Sequence, residues 1–210
     1  IAIVGRALAV PGALDGDTFW RNIVAGRNEF RPAPAQRWIL PSEHCLGPSG
    51  TSVGPDQVST NAGAFLDPVA IPESLLLPSS DVAELDPMFH VLLRIGADAW
   101  QDAGTPDVAP NRAAVIAGNI LLPTSACARL GESFFEALTL DSSSPSWTPP
   151  AHAGWDTQVG GLPAALLASG LGLRGSSLTL DAACASSLFA LKLACNELSS
   201  GRADAVLAGG

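Results

Sequence analysis

The sequence predicts an α/β fold, a sheet covered by helices, on three observations. Four short runs, Ile1 to Val4, Ala113 to Ala117, Leu178 to Leu180 and Ala205 to Ala208, are strand candidates, the second and fourth with the length and composition of buried strands. Segments with helical periodicity alternate with them, an order that favours a helix-covered sheet over segregated classes. With 210 residues, 47% hydrophobic and only 15% charged, the chain has ample apolar material for one packed domain.

Taken in order, Ile1-Ala-Ile-Val-Gly5 opens as a strand. From about 28 to 80 the chain is rich in proline, glycine, serine and asparagine without sustained periodicity, and reads as a loop-rich insertion. Asp86-Pro87 then starts a helix, with the carboxylate able to cap and proline tolerated at the first helical position. Val91, Leu92, Ile95, Ala99 and Trp100 supply its apolar face and Gly104 its stop. Ala113 to Ala117 is a compact strand ending at Gly118, and Asp141 to Pro150 is turn-forming. After the Leu178 strand, Leu188, Leu191, Cys195 and Leu198 recur at spacings of three and four, an apolar stripe on a helix that ends near Gly201. Cys195 belongs to that stripe and is expected in the core. Ala203 to Ala208 closes the series as a strand before Gly209-Gly210.

Chemistry concentrates at the junction of the Leu178 strand and the following helix. Cys184 falls at that helix N-terminus, where unpaired N–H groups and the positive end of the dipole favour an anion. The thiolate, rather than the thiol, is the nucleophilic form of cysteine. A free cysteine is more often a small buried hydrophobe, but here Ala182, Ala183, Ala185, Ser186 and Ser187 clear room for backbone and substrate. Cys184 is therefore the candidate nucleophile. His90 and His152 lie in no catalytic motif and read as structural or surface residues, although a Cys184–histidine hydrolase built with either stays open.

The stretch Asp181-Ala-Ala-Cys-Ala-Ser-Ser-Leu188, with Ala190-Leu-Lys-Leu-Ala-Cys195 and Gly201-Arg-Ala-Asp-Ala-Val-Leu-Ala-Gly-Gly210, resembles the nucleophile region of β-ketoacyl synthases. The ketosynthases of polyketide and polyunsaturated fatty acid synthases are the nearest in flavour; Ala182 and Ala185, where the polyketide form reads DTACSSSL, lean toward the latter. Three further anchors fall in family order: the opening strand with Pro11-Gly12, Phe19-Trp20 and Gly26-Arg27; Arg37-Trp38; and Glu84-Leu-Asp-Pro-Met-Phe-His-Val-Leu-Leu93 through Trp100-Gln-Asp-Ala-Gly104. Two departures concern the subfamily rather than the fold. Met88-Phe89-His90 replaces the usual glutamine pair and arginine, and Gly160 to Ala164 replaces the common pattern before the nucleophile strand.

The resemblance implies a thiolase-like layered fold, of which these residues form the first half. It implies a decarboxylative Claisen condensation in which Cys184 carries the acyl group and its own N–H is one oxyanion donor. Asp181 is implied to hold the turn into the helix. No cofactor is bound directly; substrates ride on the phosphopantetheine of an acyl carrier protein. A homodimer and other synthase domains in the same polypeptide are implied partners, and residues near Asn119 to Ala126 are expected to line the acyl channel. Two histidines, in HGTGT-like and NIGH-like motifs downstream of the nucleophile, would assist decarboxylation, and neither motif occurs in this sequence. The chain is thus expected to be an N-terminal part, cut at both ends, that condenses nothing by itself. The alternatives are a non-decarboxylating thiolase-like acyltransferase and a catalytically silent dimerisation or binding module.

Composition bounds the other classes. A net charge of −9 gives no support for binding nucleic acid or an anionic membrane, and argues against a basic docking face for an acidic carrier. No apolar window approaches a membrane span and Ile1 opens no signal peptide, so the cytosol is the expected compartment. Cys45, Cys127, Cys184 and Cys195 form no CxxC pair or disulfide framework, and the adjacent His44 and Cys45 lack two further ligands for zinc. GxGxxG after a strand, GxxxxGK[ST] and GxSxG are absent.

Overall fold

A computed structural model of the chain describes residues 1–34, 42–47, 53–55, 57–120, 124–139, 155 and 160–210. The Arg37-Trp38 anchor, the turn-forming stretch 141–150 and His152 lie outside these residues. The chain divides into two compact units, residues 8–68 and residues 1–7 with 69–210.

The smaller unit holds helix α1 (Gly16–Val24), strand β1 (Phe30–Pro32), the single-turn helix α2 (Ser42–Cys45) and strand β2 (Ala62–Ala64). Asp15 caps α1: one carboxylate oxygen accepts from the Thr18 N–H and the other from its hydroxyl, both at 2.8 Å. β1 and β2 pair antiparallel, with Phe30 opposite Ala64 and Pro32 opposite Ala62. The span from about 28 to 80 therefore carries a ribbon as well as loops, and is shared between the two units.

The larger unit is built on a three-stranded parallel sheet in the order β4 (Ser177–Leu180), β3 (Ala113–Gly118), β5 (Ala205–Gly209). All three strands coincide with predicted runs. Side chains alternate across β3, the buried central strand, because successive Cβ atoms point to opposite faces. Val115 and Ala117 meet helices α4 (Pro87–Asp102) and α6 (Leu162–Gly170) in the larger core cluster. Ile116 packs on the other face against Ala190 and Ala194 of helix α7 (Ser186–Ser199), with Leu180, Val206 and Ala208. The result is three layers: α4 and α6, the sheet, and α7. Two further helices, α3 (Ser79–Val82) and α5 (Ser125–Thr139), complete the described residues.

Helix α4 starts as predicted, with Pro87 in its first turn and the Asp86 carboxylate accepting from the Met88 N–H at 2.9 Å. Its buried stripe is Phe89, Leu93, Gly96 and Ala97, however, not the predicted set, whose members are only half-buried. Gly96 explains the difference. A Cβ there would lie 2.4 Å from Leu167 Cδ2, so the missing side chain is what lets α6 pack closely on this face.

Two other expectations are corrected. Ile1 to Val4 forms no strand among the described residues; Ile1 and Ile3 are 78% and 85% exposed, and no described strand pairs with them. The segment is tied instead to the end of α4 through the Arg6 N–H to Asp102 at 2.8 Å, while Gly5 lies close enough to Ala99 and Ala103 to leave no room for a side chain. Cys195 is exposed rather than in the core, as are Leu188 and Leu191 on the same stripe. The face of α7 that meets the sheet is made of Ser186, Ala190 and Ala194, because small side chains allow the helix to approach β3.

The sheet is pinned at its amino edge by Arg112, whose guanidinium makes paired bonds to Asp204 at 2.9 and 2.6 Å and reaches the Gly201 carbonyl at 2.8 Å. This fork ties the start of β3 to the start of β5 and holds the Asp204 carboxyl below its ordinary range. Among the described residues no helix is long and apolar enough to cross a membrane.

Candidate active site

Strand β4 ends at Leu180, and the chain turns through Asp181 and Ala182 into a single 3₁₀ turn, Ala183–Ala185, before α7 begins at Ser186. Cys184 is the middle residue of that turn and is exposed. It lies at the carboxyl edge of the parallel sheet, the edge at which α/β folds commonly place their ligands. The predicted position at the head of a helix is thus off by one short turn. Ala185, at the cap of α7, offers no side-chain acceptor to the first N–H groups of the helix.

The turn is held in an unusual conformation. Ala183 has φ +48°, the left-handed region, which costs an L-residue about 1–2 kcal/mol and persists only where neighbours over-determine it. Three side-chain hydrogen bonds do so. Asp181 Oδ1 accepts from the Ala183 N–H at 2.8 Å, which gives this aspartate the turn-holding role expected of it. Ser186 Oγ accepts from the Ala182 N–H at 3.0 Å and donates to the Ala183 carbonyl at 2.7 Å. The Ala185 N–H then closes the turn on the Ala182 carbonyl at 3.0 Å.

Close backbone approach completes the platform. A Cβ on Gly118, the last residue of β3, would fall 2.9 Å from both the carbonyl carbon and the Cβ of Ser186. The small residues that the sequence groups around the cysteine thus serve two ends: alanines leave Cys184 open, while Gly118 and Ser186 bring the end of β3 against the head of α7. Beyond Gly118, the Asn119 N–H donates to the Leu180 carbonyl at 2.9 Å, joining the segment after β3 to the start of the cysteine turn. Of the expected channel residues 119–126, positions 121–123 lie outside the described residues.

The other sequence candidates do not converge here. His90 Nε2 lies 2.8 Å from the Val82 carbonyl, an acceptor, so that nitrogen carries the proton and the ring is engaged within the helical layer. His44 and Cys45 sit on α2 in the smaller unit. Among the described residues no group of three or more His, Cys, Asp or Glu side chains is arranged to hold a metal ion. Sequence reasoning missed the part played by Ser186; its spacing of five from Asp181, at the far side of the three-residue turn, was the available signal.

Comparison with known proteins bears on the family and the fold. A phenolphthiocerol/phthiocerol polyketide synthase of Mycobacterium tuberculosis is 31% identical over 219 residues, covering all of this chain and 13% of that protein. A mycocerosic acid synthase-like polyketide synthase of Mycolicibacterium smegmatis is 29% identical over 213 residues, again covering the whole chain but 9% of the relative. This chain is therefore a small share of the length of the curated relatives it matches. Among solved structures, a PfaC keto synthase–chain length factor superposes with a TM-score of 0.82 at 27% identity, covering 99% of this chain and 23% of that one. The oxazolomycin ketosynthase domain OzmH KS7 of Streptomyces albus JA3453 gives 0.72 at 26%, covering 99% and 34%. The fold is accordingly the α/β, thiolase-like one of ketosynthases. Over residues 1–210 the sequence matches the model of the β-ketoacyl synthase N-terminal domain, and the chain belongs to that family.

Proposed function

We propose that this chain supplies the acyl-carrying half of a ketosynthase, with Cys184 as its nucleophile. The observation that carries the reading is the exposed cysteine on a left-handed, hydrogen-bonded turn at the carboxyl edge of a parallel sheet, in a chain of the β-ketoacyl synthase family. The thiolate attacks the carbonyl of an acyl thioester on the phosphopantetheine of a carrier protein, expels the carrier thiol and keeps the acyl group. A malonyl-type extender then loses carbon dioxide; its carbanion attacks the acyl-cysteine carbonyl, and the Cys184 thiolate leaves as the β-ketoacyl thioester forms. A covalent intermediate divides one difficult condensation into two easier steps and holds the growing chain between them.

In this reading the backbone N–H of Cys184 is one donor to the tetrahedral oxyanion, a contribution commonly worth about 10²–10³ in rate. Decarboxylation falls to histidines of HGTGT-like and NIGH-like motifs, which these 210 residues do not contain. Histidine acid–base help is worth about 10²–10⁴, so the 210 residues alone are expected to accept an acyl group without condensing it. The carrier protein, a second copy of the chain and neighbouring synthase domains are the partners of this scheme, which runs in the cytosol.

The test is a condensation assay on the full-length protein that contains this chain, with an acyl thioester and malonyl-loaded carrier. Cys184→Ala should abolish the β-ketoacyl product. Product formed at the wild-type rate by that variant would sink the reading. Acyl transfer without carbon dioxide release would favour the non-decarboxylating acyltransferase, and neither activity would favour the silent module.

A further inference from the structure

We infer that Ser186 is a positioning residue for the reaction, holding Ala183 in its left-handed conformation and so setting where the Cys184 thiol points. The inference rests on the reading of Cys184 as nucleophile and adds a second residue to it. Ser186 is only 6% exposed, although its side chain is polar. A hydroxyl has one proton to give and lone pairs to receive, and this one uses both on the turn: it receives from the Ala182 N–H at 3.0 Å and gives to the Ala183 carbonyl at 2.7 Å. The two bonds flank the Ala182–Ala183 peptide unit from either side. Rotation of Ala183 out of φ +48° would break the donated bond, since the carbonyl it holds belongs to the rotating residue.

Ser186 is itself fixed. It is the first residue of α7, and its Cβ and carbonyl carbon stand against Gly118 at the end of β3. The hydroxyl thereby transmits the position of the rigid sheet to a turn whose local preference lies elsewhere. Asp181 contributes a bond on the other side, to the Ala183 N–H, but from the exposed surface, where water competes for the same donor. Ser186 acts from the more buried side, through two part-buried bonds, where water competes less. The chain thus places a buried hydroxyl where the small residues around it suggest that steric clearance alone was required.

The clamp predicts a coupling that a packing role does not. Glycine adopts positive φ about as readily as negative, so Ala183→Gly removes the conformational bias that Ser186 opposes. In the full-length protein, peptide-resolved alkylation of Cys184 by iodoacetamide should slow about tenfold in Ser186→Ala, which loses both bonds and, of the two, the one to the Ala183 carbonyl that opposes the rotation. The double variant with Ala183→Gly should recover most of that rate. A Ser186→Ala protein that alkylates at the wild-type rate, or a double variant as slow as the single, overturns the inference. Hydrogen exchange on the wild-type protein provides a measurement independent of whether Ser186→Ala folds: the Ala182 amide should be protected by the hydroxyl, and free exchange there also overturns it. Condensation surviving Cys184→Ala would defeat the nucleophile reading on separate data, so the two failures are distinguishable.

Discussion

Gly118→Ala is the substitution that probes most directly how the fold aims Cys184. Gly118 pairs with Leu180 at the end of the β3–β4 ladder, and an added Cβ would meet Ser186 at 2.9 Å, about 0.5 Å inside the onset of ordinary contact. The atoms it meets are the backbone and Cβ of the first residue of α7, so no flexible side-chain end can swing away. Nor can α7 retreat as a body, because Ala190 and Ala194 are packed on Ile116 further along the helix. The strain is therefore expected to fall on the head of α7 and the Cys184 turn before it. Overpacking of this kind costs about 1–3 kcal/mol, which in a domain of this size lowers the melting temperature by about 2–12 °C. Misplacement of a reacting group by about 1 Å can cost about a hundredfold, so a shift of half that implies acyl transfer to Cys184 from a bound thioester about ten times slower. Thermal melts and the rate of acyl transfer to Cys184 on the full-length protein measure both. Gly175→Ala is the control: its Cβ would fall 2.3 Å from the Ala113 carbonyl oxygen, at the opposite end of the sheet, and should destabilise without slowing Cys184. Gly118→Ala that melts and accepts an acyl group like the wild type would refute the reasoning, as would equal slowing by Gly175→Ala.

Gly96→Ala should destabilise by about 1–3 kcal/mol through its 2.4 Å approach to Leu167, and Leu167→Ala in the same chain should return part of that loss; strictly additive urea midpoints would contradict a direct clash. Acid should also unfold the chain progressively. The folded carboxyl groups of Asp204, Glu197 and Asp15 are depressed by bonds from Arg112, Arg202 and Thr18 respectively, so their stabilisation is complete above the ordinary carboxylate range and is lost as pH falls through the folded values. Urea midpoints should therefore decline below about pH 4. Asp204→Asn should flatten that decline, and added salt should blunt it because these groups are exposed; a profile indifferent to both changes would contradict the assignment.

The sheet was legible because its strands are short and bounded by glycine, aspartate or arginine, with β3 and β5 apolar throughout and β4 carrying Leu178 and Leu180. The place of Cys184 in the fold was legible because small residues, a strand end and a helix start coincide there. Helix α6 escaped notice for a physical reason: Leu162–Gly170 is apolar all round, buried on several sides, and has no periodicity to detect. Glycine distorted the face of α4 in the same way, since Gly96 carries no hydrophobic label and yet marks the closest contact with Leu167. On α7 the error ran in the opposite direction. Leu188, Leu191 and Cys195 make the stronger stripe by hydropathy, but the sheet selects Ala190 and Ala194 for their size. Ile1 to Val4 has strand composition without a described strand beside it, and composition alone cannot supply a ladder partner. The left-handed Ala183 was not readable at all, because alanine disfavours that region and it is held there by bonds, among them those from Asp181 and Ser186, that no local pattern announces.

The central claim is that Cys184 becomes acylated. Incubating the full-length protein with an acyl-N-acetylcysteamine thioester, then quenching in acid and mapping peptides by mass spectrometry, tests it without relying on the extender or on decarboxylation. The account predicts one acyl group per chain, on the peptide containing Cys184, absent from Cys184→Ala and removed by hydroxylamine as a thioester should be. An acyl group found on Cys45, Cys127 or Cys195 instead, or retained when Cys184 is replaced, would contradict it.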